Sequence, residues 1–251
     1  MLALFTPYLI GIFSALPFIV VWRWPATSVY AIIYLLVVAL VFLWFIWEPR
    51  RLTRAIWPWI LLLLFWLNAL IFFLFLEQDF FRLLLILMVG SISWWYVLSW
   101  LKDHWQIVEI SHGPSLPLAL ALVWIIFFFS GVNSVSWLVF LDISWWLLFL
   151  VQIMVIVLSL LSIGWIAGWT IFKHWPYLVV AFLILTQSYV IFSWWPVSFY
   201  LVGWLEATVF LVFFLFTRYD TGVGLTKRVL VRNLLWIIIL ALILIATTRW
   251  F

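Results

Sequence analysis

The sequence has no cysteine and very little charge. Only 8% of its 251 residues are charged and 70% are hydrophobic, whereas a soluble domain carries roughly 25% charged residues. Without cysteine, disulfides, iron–sulfur clusters and thiol chemistry are excluded. With so few charges, the chain could not cover its own surface in water. The composition therefore predicts an all-α, polytopic helical membrane bundle without a soluble domain.

Recognisable catalytic and cofactor-binding motifs are also missing. The sequence contains no H-E-x-x-H, no G-x-S-x-G and no phosphate- or dinucleotide-binding glycine pattern. Asp220-Thr221-Gly222 matches the active-site triplet of aspartic proteases, but that catalysis needs two carboxylates and no second triplet occurs. A polar turn between two helices explains the triplet. These absences predict no catalytic residues, no metal and no cofactor.

Nine stretches are long enough to cross a bilayer, which takes about 20 apolar residues. They are 4–22, 28–47, 55–76, 81–100, 115–132, 144–169, 177–194, 197–217 and 230–248. The fifth is followed by a polar stretch, where we predict a turn over 131–136. A short interfacial or re-entrant piece over 137–142 would follow it.

Cationic residues set the predicted topology. Nine lysines and arginines fall in the loops on one side of this nine-span drawing and three on the other, and positive loops face the cytoplasm. The N-terminus is therefore predicted to be cytoplasmic and the C-terminus outside, in a plasma (inner) membrane. Many of the 23 tryptophans fall at predicted helix ends, as in an aromatic belt.

Two stretches share a layout at an offset of 118 residues. Trp57-Pro58 and Trp175-Pro176 each follow a cationic inner loop and open a helix. The offset predicts two four-helix units of parallel topology, 1–112 and 113–228, followed by an additional helix within 229–251. Chance is the alternative, because segments so rich in Leu and Phe give similar identities at random.

Five polar residues lie near the middle of predicted spans. They occupy the third, fourth, seventh and eighth helices, which the repeat would pair, and are Asn68, Ser91, Ser93, Gln187 and Glu206. Because an ionised group at that depth costs a few kcal/mol, we expect a protonated, hydrogen-bonded Glu206 that faces the bundle interior, with Asn68, Gln187, Ser91 or Ser93 in contact. Arg82 is the nearest basic residue, about 9 Å shallower at 1.5 Å per residue. The cluster favours helix–helix hydrogen bonding, with an ion or proton path as the alternative.

Three classes of function remain open. A non-catalytic membrane subunit, in contact with the lipid bilayer and with partner membrane proteins, is favoured by the apolar helices. A secondary transporter or channel with Glu206 as its coupling residue is the first alternative. An enzyme acting on a lipid-linked substrate is the second. The net charge of +4 lies in short loops, so it indicates topology and not a nucleic-acid partner.

The absence of cysteine gives a direct test of the topology. Single cysteines at Arg51, Lys173 and Lys227 should react with an impermeant maleimide only from the cytoplasmic side, and one at Ser198 only from outside. The cysteine-free parent is the control. Labelling of positions 227 and 198 from the same side would contradict the nine-span drawing.

Overall fold

The chain forms a bundle of long α-helices. The computed structural model describes residues 2–45, 49–105, 115–169, 171–194 and 198–220, with four further positions between 231 and 239. These residues form α1 (Leu2–Arg23), α2 (Ser28–Phe45), α3 (Pro49–Leu74), α4 (Asp79–Trp105), α5 (Ser115–Leu141), α6 (Trp145–Ile166), α7 (Ile171–Ser193) and α8 (Phe199–Asp220). All eight helices are long and apolar enough to cross a membrane. This confirms the predicted helical membrane bundle, and the chain is an integral membrane protein.

The predicted ninth helix, 230–248, lies outside the described residues except for the positions just mentioned. Within the described ranges there is no β-strand, and the connection between α1 and α2 contains a short 3-10 helix, Pro25–Thr27. The membrane concerned and the orientation of the termini stay predictions.

The predicted break after the fifth span is wrong. Helix α5 continues through 131–136 and ends only at Leu141, where Asp142 adopts a positive φ of 51°. The polar residues in this stretch are buried: Asn133, Ser134 and Ser136 are 5%, 7% and 0% exposed. They face the interior of the protein, so their polarity marks a packed helix face and not a turn.

The helices divide into two compact units. One comprises Met1–Leu122 with Leu161–Trp169, and the other comprises Val123–Leu160 with Thr170–Phe251. The boundary thus falls within α5 and within α6. The duplication and the division into 1–112, 113–228 and 229–251 stay predictions.

In the first unit, α1 and α4 approach closely at a pair of glycines. A Cβ added to Gly11 would lie 3.0 Å from the Gly90 carbonyl oxygen, and one added to Gly90 would lie 3.2 Å from the Gly11 carbonyl oxygen. Small residues permit such contacts between membrane helices, where van der Waals packing drives association.

Polar contacts connect α3, α4 and the turn between them. The fully buried Trp66 indole in α3 donates a 2.8 Å hydrogen bond to Ser93 in α4. Arg82, near the start of α4, donates through Nε to the Leu76 carbonyl at 2.7 Å and lies 3.4 Å from the Asp79 carboxylate. Arg82 therefore satisfies a carbonyl in the α3–α4 connection, beyond the end of α3.

Helix α6 ends three residues earlier than the sequence predicts, because Gly168 adopts a φ of 71°. The Gly168 N–H donates to the Trp165 carbonyl at 3.0 Å, and the Trp169 N–H donates to the Gly164 carbonyl at 2.9 Å. This pair of bonds is the Schellman arrangement, which favours glycine at the left-handed position.

The contact between Gly11 and Gly90 predicts that a large side chain at position 90 of α4 destabilises the protein, whereas one at a neighbouring exposed position does not. Gly90→Leu should destabilise the first unit, because its side chain meets the α1 backbone; overpacking costs about 1–3 kcal/mol. Ser91→Leu, one residue further along the same helix, is the matched control, since Ser91 is exposed. Unfolding of the two purified variants in detergent measures the difference, and equal stability would contradict the close approach.

Candidate functional site

Helix α5 contributes two buried serines to the interior of the second unit. Ser130 and Ser134 are 3% and 7% exposed. They are four residues apart and therefore share one face of the helix. Gly131 lies beside them, and the side chains on this face point towards α6, α7 and α8, as the contacts below show.

Helix α6 contributes an amide that joins this face to α8. Gln152 is fully buried, and its Oε1 accepts a hydrogen bond from Ser130 Oγ at 2.5 Å and a long one from Ser134 Oγ at 3.5 Å. Its Nε2 donates to Glu206 Oε1. Gln152 therefore connects α5 to α8 through a continuous chain of hydrogen bonds.

Helix α8 contributes the carboxyl group. Glu206 is 0% exposed, and its neighbours on the same helix face, Ala207 and Phe210, are also fully buried. Glu206 lies seven residues after Phe199, and Gln152 lies seven residues after Trp145. The second carboxyl oxygen, Oε2, has no hydrogen-bond partner among the described residues.

A second glycine pair places the carboxyl group against α5. A Cβ added to Gly131 would lie 2.7 Å from the Gly203 Cα and 2.8 Å from Glu206 Oε2. Both glycines are buried. Any larger residue at position 131 would push α8 away or displace the carboxyl group, so the hydrogen-bond chain depends on glycine here.

Helix α7 adds a phenol to the site. Tyr189 is 2% exposed and hydrogen-bonds Ser134, and it interacts electrostatically with Glu206. Its ring stacks on Phe149 of α6, with centroids 6.4 Å apart and planes 24° apart. The site thus draws on α5, α6, α7 and α8, the four helices described in this unit.

The helices that pack around Glu206 carry few charged side chains. The described parts of α5 and α6 contain no ionisable side chain, and α7 carries Lys173 and His174 only in its first turn. Along α8 the next charged residue is Arg218, twelve positions away, or about 18 Å along the axis. No described group of this unit therefore offers the carboxyl group an opposite charge within contact distance.

The other four predicted site residues have contacts or exposure of their own. Asn68 donates to the Leu64 carbonyl of its own helix, Ser93 accepts from Trp66, and Ser91 is exposed. These three belong to the first unit. Gln187 belongs to the second unit but is exposed on α7, whereas Glu206 is fully buried. The five-residue cluster stays a prediction.

Gln152, the residue that does bond Glu206, was missed by the sequence analysis. One signal could have found it, because it is the lone amide in the sixth predicted helix and lies about as far from the start of its span as Glu206 does. The predicted cluster took its residues from the third, fourth, seventh and eighth helices instead.

The site offers hydrogen-bonding oxygens, one amide and one carboxyl group. Among the described residues, no group of three or more His, Cys, Asp or Glu side chains could hold a metal ion. The arrangement can join helices, and the single carboxyl group can hold one proton or balance one positive charge. Comparison with known protein families, curated proteins and solved structures finds no match to this chain.

The hydrogen-bond chain predicts opposite outcomes for two glutamines. Gln152→Leu should destabilise the protein by about 1–3 kcal/mol, because it leaves the buried Glu206 without a donor. Gln187→Leu makes the same chemical change at an exposed position and should stay within about 0.5 kcal/mol of the parent. Glu206→Leu should resemble Gln152→Leu, whereas Glu206→Gln keeps a donor and an acceptor and should be tolerated. Detergent unfolding curves measure all four, and a larger effect at position 187 than at 152 would contradict this chain of bonds.

Proposed function

We propose that the chain is a non-catalytic, membrane-embedded subunit that contacts lipid and partner membrane proteins. The observation that carries this proposal is the hydrogen bond that Glu206 accepts. Within the described spans, Gln152 of α6 donates a hydrogen bond to this buried carboxyl group on α8, so the group joins two helices. A catalytic site would instead need several reactive groups arranged around a substrate.

The outer surface of the bundle supports the same role. Large apolar side chains are exposed on several helices, including Leu40 of α2, Leu150 of α6 and Ile191 of α7, which are 64%, 64% and 62% exposed. The described connections between helices are short. Contacts with other proteins would therefore use helix faces within the bilayer, where association depends on packing and on interhelical hydrogen bonds.

A cation- or proton-coupled transporter is the second candidate. The observation that favours it is Glu206 Oε2, which is buried and unpaired among the described residues. Intramembrane ionisable residues often mark ion or proton paths. In this role Glu206→Gln would fold normally and lose transport.

Site-specific crosslinking tests the subunit role. A photoreactive amino acid placed at Leu40, Leu150 or Ile191, one at a time in cells, should capture one partner protein from one helix face. The other two positions should react with lipid. Extraction with a polymer that retains native lipid should give a complex heavier than the 29.9 kDa chain that contains the same partner.

Two results would overturn the proposal. One is a lone chain after native extraction with no protein crosslink from any face. The other is proton or cation flux by the purified chain alone in vesicles, abolished by Glu206→Gln, which would establish the transporter instead.

A further inference from the structure

The Glu206 carboxyl group cannot satisfy both of its oxygens with the described residues in either protonation state. Oε1 accepts from Gln152, and Oε2 has no partner. If Glu206 is ionised, a buried negative charge lacks a donor at Oε2. If it is protonated at Oε2, the buried charge is removed, and only a neutral hydroxyl lacks an acceptor among the described residues. Unmet buried polar groups are costly, and unpaired buried charges more so.

The neighbouring groups do not remove this deficit. The Ser130 and Ser134 hydroxyls both donate to Gln152 Oε1, and Tyr189 hydrogen-bonds Ser134. The two serine protons are thus directed away from Glu206, while each serine oxygen keeps lone-pair capacity. Among the described residues, no positively charged group pairs with Oε2.

We propose that Glu206, supported by Gln152 and Ser130, is a binding site for one small, exchangeable monovalent cation, either a proton or a metal ion of the size of Na⁺ in its place. The charge balance points to a single positive charge, because the described helices around the site supply one carboxyl group and no other ionised group. A divalent ion would leave an uncompensated charge in an apolar interior. The position of Oε2 against Gly131, which has no side chain, favours a small ion.

Glu206 is the group at this site whose protonation would change with pH. On α7, the ionisable group that faces Glu206 is Tyr189. The described parts of α5 and α6 contribute no ionisable group, and the charged residues of α7 and the other charged residues of α8 lie at the helix ends. Loss of the cation leaves the buried carboxylate with its Gln152 bond alone, so release of the cation should be coupled to a rearrangement of α8 against α5.

Infrared difference spectroscopy of the full chain in vesicles tests the proposal, because a protonated carboxyl group has a carbonyl stretch distinct from that of a carboxylate. The parent should show one carboxyl band that Glu206→Gln removes. The band should shift in D₂O and disappear reversibly as the pH rises. If Na⁺ competes for the site, adding NaCl at constant pH should also remove the band, whereas choline chloride should not; without competition, the ligand is the proton alone.

Two variants of α6 make the assignment specific. Gln152→Leu should move the carboxyl band, because Oε1 loses its donor. Ser159→Ala removes a buried hydroxyl with no described partner, seven residues further along α6, and should leave the band unchanged.

Two outcomes would overturn the site. A Glu206 band that neither shifts in D₂O nor responds to pH or Na⁺ would show a permanently protonated, structural carboxyl group. No Glu206 band at any pH, in the presence or absence of Na⁺, would show a carboxylate that binds no exchangeable cation. Neither outcome bears on the proposed subunit role, whose test is partner crosslinking.

Discussion

The hydrogen bond from Gln152 to Glu206 is the interaction on which the second unit depends. Inside a bilayer no water is available to satisfy a carboxyl group, so the protein must supply partners from its own helices. Gln152 bonds Glu206 on α8 and accepts from Ser130 on α5. A single amide thereby fixes the mutual rotation of three helices, and the glycines at positions 131 and 203 bring two of them close enough for the bonds to form.

Both units combine a glycine contact with a buried polar bond. In α4, Gly90 meets α1, and Ser93, three residues later, accepts from Trp66 of α3. In α8, Gly203 meets α5, and Glu206, three residues later, accepts from Gln152. A spacing of three places both residues on neighbouring positions of one helix face. In each unit the glycine and the polar side chain contact different neighbouring helices, so together they hold three helices in one arrangement.

The two units differ in what their polar bond can do. The indole and the serine hydroxyl carry no charge, and the bond between Trp66 and Ser93 joins α3 to α4. Glu206 can change its charge, and one of its oxygens is left unpaired by the described residues. The same site can therefore hold the bundle together and respond to a cation. The proposed subunit role uses the first property, and the inferred cation site uses the second.

The sequence by itself determined that the chain lies in a membrane and which stretches form its eight described spans. Both depend on hydrophobic length, which is a property of residues that are contiguous along the chain. The sequence also marked Glu206 as the residue that must be buried or paired. It did not identify the partner, since Gln152 and Gln187 are equally polar and lie at similar distances from the nearer end of their helices. Which of them faces inward is decided by the rotation of each helix about its axis. The same holds for Asn133 to Ser136, whose polarity suggested a turn while α5 runs through them. Only tertiary packing sets that rotation, because it depends on where the glycines let neighbouring helices touch.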